Sequence, residues 1–432
     1  MESISVGLLG LGTVGSGVVK IIEDHQDKLM HIVGCPVHIK KVAVQDKQKQ
    51  RQVDVHPDRL TTNPADVIED PEIDVIIEVM GGIERTKEYL FEALKRKKHV
   101  VTANKDLMAV YGTELLKTAT ENGCDLFYEA SVAGGIPILR SLVDGLASDR
   151  ITKMMGIVNG TTNFILTKMT KYNSAYEEVL KEAQALGYAE ADPTADVEGL
   201  DAARKMAILA RLGFSMEVDL EDVSVKGISS VTEEDINYSK RLGYTMKLIG
   251  IADRTDEKVE VSVQPTLLPD SHPLASVHDE FNAVYVYGEA VGETMFYGPG
   301  AGSLPTATAV VSDLVGVLKN MRLEVNGRSA VSPQFEKQIK TPEEIFAQYF
   351  LRIHVRDEVG AFSQITSLFS NRGVSFEKIL QLPLKKDGLA EIVIVTHKGS
   401  KKDFQEILSQ LSELSVVKEV KSTYRVEGNG LG

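Results

Sequence analysis

The sequence predicts an α/β protein: an N-terminal doubly wound parallel sheet, an α+β domain in the middle and a small ferredoxin-like domain at the C-terminal end. Three observations predict it. A short apolar strand, Ile4 to Gly10, runs into Gly10-Leu11-Gly12-Thr13-Val14-Gly15 and then into helical spacing at Val18, Val19, Ile21 and Ile22. Further strands and helices alternate up to about residue 130 at the spacing of right-handed βαβ units. From residue 348 the order of elements is βαββαβ.

In chain order, Val37 to Val44 reads as a second strand ending in Gln45 and Asp46. Ile73 to Val79 reads as a third, ending at Met80-Gly81-Gly82 ahead of a helix around Thr86 to Arg96. His99 to Thr102 is a fourth, entering Ala103-Asn104-Lys105. Residues 1–130 therefore read as a Rossmann-type dinucleotide-binding domain. From Phe127 the texture changes: Tyr128 to Pro137 reads as a strand entering a glycine-rich turn and then a helix. A strand over Met154 to Val158, a helix over Phe164 to Thr170, and antiparallel strands over Leu248 to Pro265 and Ala283 to Val291 give residues 131–304 an α+β character. The apolar helix within 305–320 should pack back on the first domain. Polar residues with Pro333 and Pro342 mark 322–347 as a linker. The terminal domain, 348–427, reads as strands Tyr349 to Val355, Val374 to Gln381, Ala390 to Thr396 and Val417 to Arg425, with helices Gly360 to Arg372 and Lys402 to Leu411.

Composition removes several function classes. A chain of 432 residues with 43% hydrophobic content has enough material for two or three cores. The net charge of -14 argues against nucleic acid or an anionic membrane as partner. No apolar run is long enough to span a bilayer and no signal peptide is visible, so a cytoplasmic setting is expected. The two cysteines, Cys35 and Cys124, have neither CxxC spacing nor a histidine cluster beside them, which leaves no disulfide framework and no zinc site. They lie beside no histidine base, and no GxSxG occurs, so acyl-enzyme chemistry is not expected. Hydride transfer remains, in which the cofactor does the hard chemistry and the protein positions substrate and moves a proton.

The glycine turn is the strongest motif, because it lies between a strand and a helix: one glycine for the tight turn, one for approach of a pyrophosphate, and helix amides for its charge. At the end of the second strand, Asp46 fits the ribose hydroxyl of NAD, whereas Lys47, Lys49 and Arg51 suit the 2′-phosphate of NADP. The balance leans slightly to NADP(H), with both usable. Lys105 follows a strand at the carboxyl edge of the sheet, where such folds bind ligands, although a lysine there is more often solvated. Glu129 and the glycine turn after it read either as close backbone packing or as a monovalent-cation site. The run Gly187 to Lys205 places Glu190, Asp192 and Asp196 in a loop and sets Asp201 and Lys205 four residues apart on one helical face. Alone, that run would read as a solvated loop and a surface ion pair.

Taken together, GLGTVG at 10–15, TANK at 102–105, YEASVAGGIP at 128–137, NGTTNFIL at 159–166, GYAEADPTADVEGLDAARK at 187–205 and GPGAGSLPTATAVVSDL at 298–314 resemble the homoserine dehydrogenase family. The C-terminal domain resembles an ACT domain. The resemblance implies reversible nicotinamide-dependent interconversion of L-homoserine and L-aspartate 4-semialdehyde, on the route to threonine, methionine and isoleucine. It implies Lys205 as general acid, Lys105 as a second active-site lysine, and Asp201 as the group orienting substrate oxygen or a water. Glu190 would bind the substrate ammonium, with Gly160 and Thr161 closing on substrate; Asp192 and Asp196 read as loop and helix-capping carboxylates, Asp196 also counting among the substrate contacts. Gly10, Gly12, Thr13, Val14, Gly15, Asn104, Lys105, Gly187 and Gly302 would contact NADP(H) or NAD(H). A sodium site maps to Glu129 and to the carbonyls of Val132, Gly134 and Ile136. In the ACT domain Asp357, Val359, Gly360 and Ala361 match the effector-binding turn, for which threonine is the implied ligand. A homodimer or homotetramer is implied as well. Two other readings compete. A non-catalytic nucleotide- and amino-acid-sensing protein would not need Glu190, Asp201, Lys105 and Lys205 together. An aspartate-semialdehyde dehydrogenase would need a catalytic cysteine, for which neither Cys35 nor Cys124 is suitably placed.

Overall fold

The computed structural model describes residues 3–328, 333–384 and 388–428. The chain forms two compact units, each gathered from separated stretches: Met1–Met154, Arg204–Asp222 and Asn282–Glu336 in one, Met155–Ala203, Val223–Phe281 and Lys337–Gly432 in the other. Sequence reading divides the chain into consecutive domains. Of the long-range returns it expects only the helix within 305–320 on the first domain, and it does not see that 204–222 joins the first unit or that 337–432 shares one with 155–203 and 223–281.

The first unit is built on a six-stranded sheet, all of whose neighbours are parallel. Its order is Leu60–Thr61, Val37–Ala43, Ile4–Leu9, Val75–Glu78, His99–Thr102, Leu126–Phe127, which is 3-2-1-4-5-6 along the chain. That order reverses between the Ile4–Leu9 and Val75–Glu78 strands, and the crevice outside their carboxyl ends is where such sheets bind ligands. These strands are buried on both faces, as parallel strands under two helix layers must be. Val6, Leu8, Val42, Val75 and Ile77 share one apolar cluster with Val310, Leu314 and Val317 of the helix Ser303–Leu323. That helix packs on Thr13–Asp24. A Cβ on Gly17 would come 2.6 Å from the Ser303 carbonyl oxygen, so only glycine lets the two helices approach this closely.

The second unit carries a long hairpin, Tyr244–Thr255 with Lys258–Pro269, paired along its whole length. Its ferredoxin-like part has helices Ala361–Asn371 and Lys401–Glu413 on a sheet ordered Val417–Val426, Phe346–Arg356, Leu389–Thr396, Phe376–Pro383. Its core is Ile353, Phe369, Ile394, Leu411 and the stacked rings of Tyr349 and Phe404, 4.0 Å apart. The last strand also pairs with the hairpin, Thr266 with Arg425 and Leu267 with Val426. The segment read as a linker is itself held to the hairpin: Val259 and Lys340 exchange backbone hydrogen bonds with Gln338 and Val259 carbonyls, and Lys340 is buried in an ion pair with Asp253.

Helices Gln26–Val33, Lys105–Glu121, Tyr176–Ala185 and Glu233–Arg241 are additions to the sequence reading. The stretch after Phe127 is a 3₁₀ turn, Glu129–Ser131, rather than a continued strand: the backbone leaves the extended region at Tyr128, ψ 32°, and turns again at Ala133 and Gly134, φ 55° and 54°. No helix among the described residues is long and apolar enough to cross a membrane.

Candidate active site

In the first unit the glycine turn has the three-part geometry that a dinucleotide needs. Gly10 stands at φ 103°, and a Cβ there would reach within 2.8 Å of the Val79 carbonyl oxygen. At Gly15 a Cβ would lie 2.2 Å from the Gly10 carbonyl oxygen, so the helix is packed as closely on the turn as glycine allows. At Gly12 a Cβ meets nothing within 4 Å; that side of the turn is open to a ligand. The helix that follows from Thr13 has no acid in its first turn, leaving its amides and dipole to an anion. Gly302 caps the helix Ser303–Leu323 at φ 126°, and Ser303 donates its hydroxyl to the Thr13 carbonyl at 2.7 Å. The late glycine is thereby seated beside the first turn.

Next to Leu11 lies a cavity of ≈ 600 Å³ lined by residues Lys47 to Val55, Pro57 and Leu60. Its cations are Lys47, Lys49 and Arg51. Asp46 spends one carboxylate oxygen on the Gln48 amide at 2.8 Å, and the Arg51 guanidinium holds the Lys49 and Asp46 carbonyls.

Lys105 is the first residue of the helix Lys105–Glu121. Asn104 caps that helix, accepting from Leu107 N at 3.1 Å, and its amide nitrogen donates to the Gly82 carbonyl at 2.7 Å. Beneath it, buried Glu78 accepts from Thr102 Oγ1 at 2.6 Å and from the amides of Met80 and Gly81 at 2.8 and 3.0 Å. Burial pushes the Glu78 carboxyl upward. Asp106, next to Lys105, pairs with Arg204 at 2.9 Å, and Arg204 is next to Lys205, which is 9% exposed on the helix Leu200–Phe214. Sequence reasoning missed Glu78, Asp106 and Arg204, since the Glu78–Thr102 contact and the Asp106–Arg204 pair join residues well separated in the chain.

The second unit gathers the other expected contacts. Asn159 caps the helix Gly160–Tyr172, accepting from Thr162 N at 2.9 Å. Its Nδ2 donates to Asp196 Oδ1 at 2.7 Å and to buried Asp201 Oδ2 at 2.9 Å. Thr161 Oγ1 donates to the Tyr188 carbonyl at 2.6 Å and reaches Asp196 Oδ2 at 3.3 Å. Asp196 therefore sits in the network around Asn159 and Thr161, from the short helix Thr194–Val197. Asp192 stays a loop residue, accepting from the Thr194 amide and hydroxyl. The sequence reading did not single out Asn159, although Asn ahead of Gly-Thr-Thr is a common helix-cap signal; nothing in the chain marks its grip on two carboxylates. Glu190 is exposed, its carbonyl accepting from Gln184 at 3.1 Å. Gly187 follows the helix Tyr176–Ala185 in a left-handed conformation, φ 80°.

The glycine-rich turn after Glu129 holds its acid through backbone amides. Both Glu129 carboxylate oxygens accept backbone amides, of Leu139 and Arg140, at 2.8 Å each, and the Ile136 carbonyl accepts from Ile138. Asp313 accepts from the Glu129 amide and pairs with Arg140 at 2.9 Å; burial, with the Glu129 charge beside it, pushes its carboxyl up to about 7. No group of three His, Cys, Asp or Glu among the described residues could hold a metal. In the ferredoxin-like part, Asp357 donates its amide to the Gly388 carbonyl at 2.8 Å. Gly360 is left-handed at φ 89°, Val359 is fully exposed and Ala361 opens the helix.

Residues 137–315 match the model of the family described as homoserine dehydrogenase, and residues 10–129 its NAD-binding domain. Residues 349–416 match the ACT domain. The chain is 76% identical over 431 residues to the homoserine dehydrogenase of Bacillus subtilis, covering 100% of both chains. Among solved structures, a homoserine dehydrogenase from Thiobacillus denitrificans superposes with a TM-score of 0.92 at 38% identity, covering 100% of this chain and 99% of that one. The Staphylococcus aureus enzyme at pH 7.5 gives 0.78 at 42%, covering 99% of each. A hyperthermophilic archaeal homoserine dehydrogenase in complex with NADPH gives 0.63 at 25%, covering 74% of this chain and 98% of that one.

Proposed function

Because the chain belongs to the homoserine dehydrogenase family and is an NAD(P)-dependent oxidoreductase with a C-terminal ACT domain, we propose that Lys205, Lys105 and Asp201 carry its conversion of L-aspartate 4-semialdehyde to L-homoserine. The observation that supports this most is the pair Asp201 and Lys205, four residues apart on one helix and both buried, with Asp201 held by Asn159. Gly10, Gly12 and Gly15 would hold the pyrophosphate of the reduced cofactor, whose nicotinamide would supply the hydride.

Lys205 gives a proton to the aldehyde oxygen as negative charge develops there, which is general acid catalysis. Asp201, fixed through Asn159, orients that oxygen or a water. Lys105, set at a capped helix start, adds positive charge where cofactor and substrate meet, and Glu190 receives the substrate ammonium. Gly160 and Thr161 close on the substrate, with Asp196 behind them. In the oxidation direction Lys205 takes that proton back, acting as general base.

The three cations beside Leu11 support NADP(H) as the preferred cofactor, with NAD(H) also used. A sodium ion near Glu129 would draw on the carboxylate lone pairs left beside the Leu139 and Arg140 amides and on the carbonyls of Val132, Gly134 and Ile136. The assignment of the ACT turn to threonine inhibition, and of the enzyme to a cytoplasmic homodimer or homotetramer, belongs to the same proposal.

The test is NADPH consumption with aspartate semialdehyde. Turnover by the wild type and its loss in Lys205→Met are expected; full activity in the variant would remove Lys205 from the mechanism. For regulation, Gly360→Val in the full chain should abolish threonine inhibition without changing uninhibited turnover. Removing the whole domain is the poorer test, because it would unpair Thr266 and Leu267 from the last strand and strip buried Glu260 of Arg425.

A further inference from the structure

Lys247, in the strand Tyr244–Thr255, is 1% exposed. Its ammonium donates to Asn163 Oδ1 at 3.0 Å and to the Val277 carbonyl at 2.5 Å. The charged and titratable groups facing it are Asp279, Lys171 and His278, and no carboxylate among the described residues lies within ion-pair reach of it. A buried ammonium so placed is costly, and a methionine would fill the same volume without that cost.

What the lysine achieves is an orientation. By donating to Asn163 Oδ1 it decides which way that amide faces. The other end, Nδ2, then points at three carbonyls of one loop: Val277 at 3.3 Å, Asp279 at 2.9 Å and Phe281 at 3.1 Å. Turned over, the amide would set its own oxygen against those three oxygens. The loop holds Asp279 in a left-handed conformation at φ 57° and donates the Asp279 amide to Thr167 Oγ1 at 3.1 Å. It is thus strapped along the helix Gly160–Tyr172. At the start of that helix, a Cβ on Gly160 would lie 2.7 Å from the Glu280 carbonyl oxygen. The strap therefore rests directly on the turn that presents Gly160 and Thr161.

We propose that Lys247 is a positioning residue for the amino-acid substrate, holding the 277–281 strap through Asn163 against the first turn of the helix that carries Gly160 and Thr161. The proposal rests on the assignment of Gly160 and Thr161 to the substrate, so its test carries a control on that assignment. In the full-length enzyme, Lys247→Met should raise the homoserine KM about tenfold, the scale of one lost buried hydrogen bond, and leave the NADP KM within about twofold. Lys247→Gln, which keeps a donor for Asn163 Oδ1, should restore most of the loss. The double variant Lys247→Met/Asn163→Leu should be no worse than Asn163→Leu alone, because both remove one unit. Effects that multiply, or a Lys247→Met that changes thermal stability and neither KM, overturn the proposal. Thr161→Val separates the two levels: an unchanged homoserine KM there overturns the substrate assignment and this proposal with it. A raised one beside a silent Lys247→Met overturns the proposal alone.

Discussion

Arg204 and Asp106 form an ion pair of 2.9 Å between two helices, and each is the chain neighbour of one of the two lysines assigned to catalysis, Lys205 and Lys105. The pair ties the backbone that carries one ammonium to the backbone that carries the other. Their side chains keep 26% and 36% of their exposure, so the link is partly screened by solvent.

Loss of that link should therefore appear in rate before stability. Asp106→Asn is expected to lower kcat roughly three- to tenfold while changing unfolding free energy by less than about 1 kcal/mol. Lys205→Met, which removes the acid itself, should lower kcat by about 10²–10⁴. Steady-state rates beside a urea titration check both. An Asp106→Asn enzyme with wild-type kcat would mean that the pair merely decorates the helix ends.

Gly12→Ala and Gly15→Ala should fail in opposite ways. A methyl at residue 12 meets nothing within 4 Å, so that variant should fold normally yet raise the NADP KM by an order of magnitude or more as the methyl enters the ligand's path. A methyl at residue 15 would lie 2.2 Å from the Gly10 carbonyl oxygen, so that variant should lose stability, by about 1–3 kcal/mol. Thermal melts with and without cofactor distinguish the two.

Cofactor preference should follow Lys47, Lys49 and Arg51. Replacing Lys47 and Arg51 together by alanine is expected to raise the NADP KM at least tenfold and to leave the NAD KM within about twofold, because only NADP carries the 2′-phosphate. Equal losses for both cofactors would show that these cations shape the loop without reading the phosphate.

Lys247 predicts a pH dependence of stability. Burial holds its ammonium down at about 7 against an ordinary 10.5. Between those values the unfolded chain binds more protons than the folded one, so stability rises with pH there, by up to about 1.4 kcal/mol per pH unit. Lys247→Met lacks this contribution. The difference in unfolding free energy between wild type and variant should move in favour of the wild type from pH 7 to pH 9. A constant difference over that interval would mean that Lys247 titrates like a solvated lysine.

Much of the candidate site was legible because its signals are local. Gly10, Gly12 and Gly15 differ in role only through backbone geometry within one turn, and Asp201 and Lys205 share a helix face by spacing alone. Other parts were not legible. Asp192 and Asp196 look alike in the sequence; one holds its own loop at Thr194, the other meets Asn159 and Thr161 from 37 and 35 residues away. Glu129, too, is held by groups the sequence does not single out: its two carboxylate oxygens accept the amides of Leu139 and Arg140.

By itself the sequence determined the α/β class, the dinucleotide turn, the ferredoxin-like end domain and the family to which the chain belongs. Each rests on short-range spacing or on long ordered motifs that need no knowledge of packing. Only the tertiary structure decided how Asn159 divides itself between Asp196 and Asp201, which residues brace the two lysines, and that Lys247 is buried against Asn163, 84 residues away in the chain. A hydrogen bond or ion pair between distant residues depends on which surfaces the folded chain brings within 3 Å, and chain spacing holds no record of that distance.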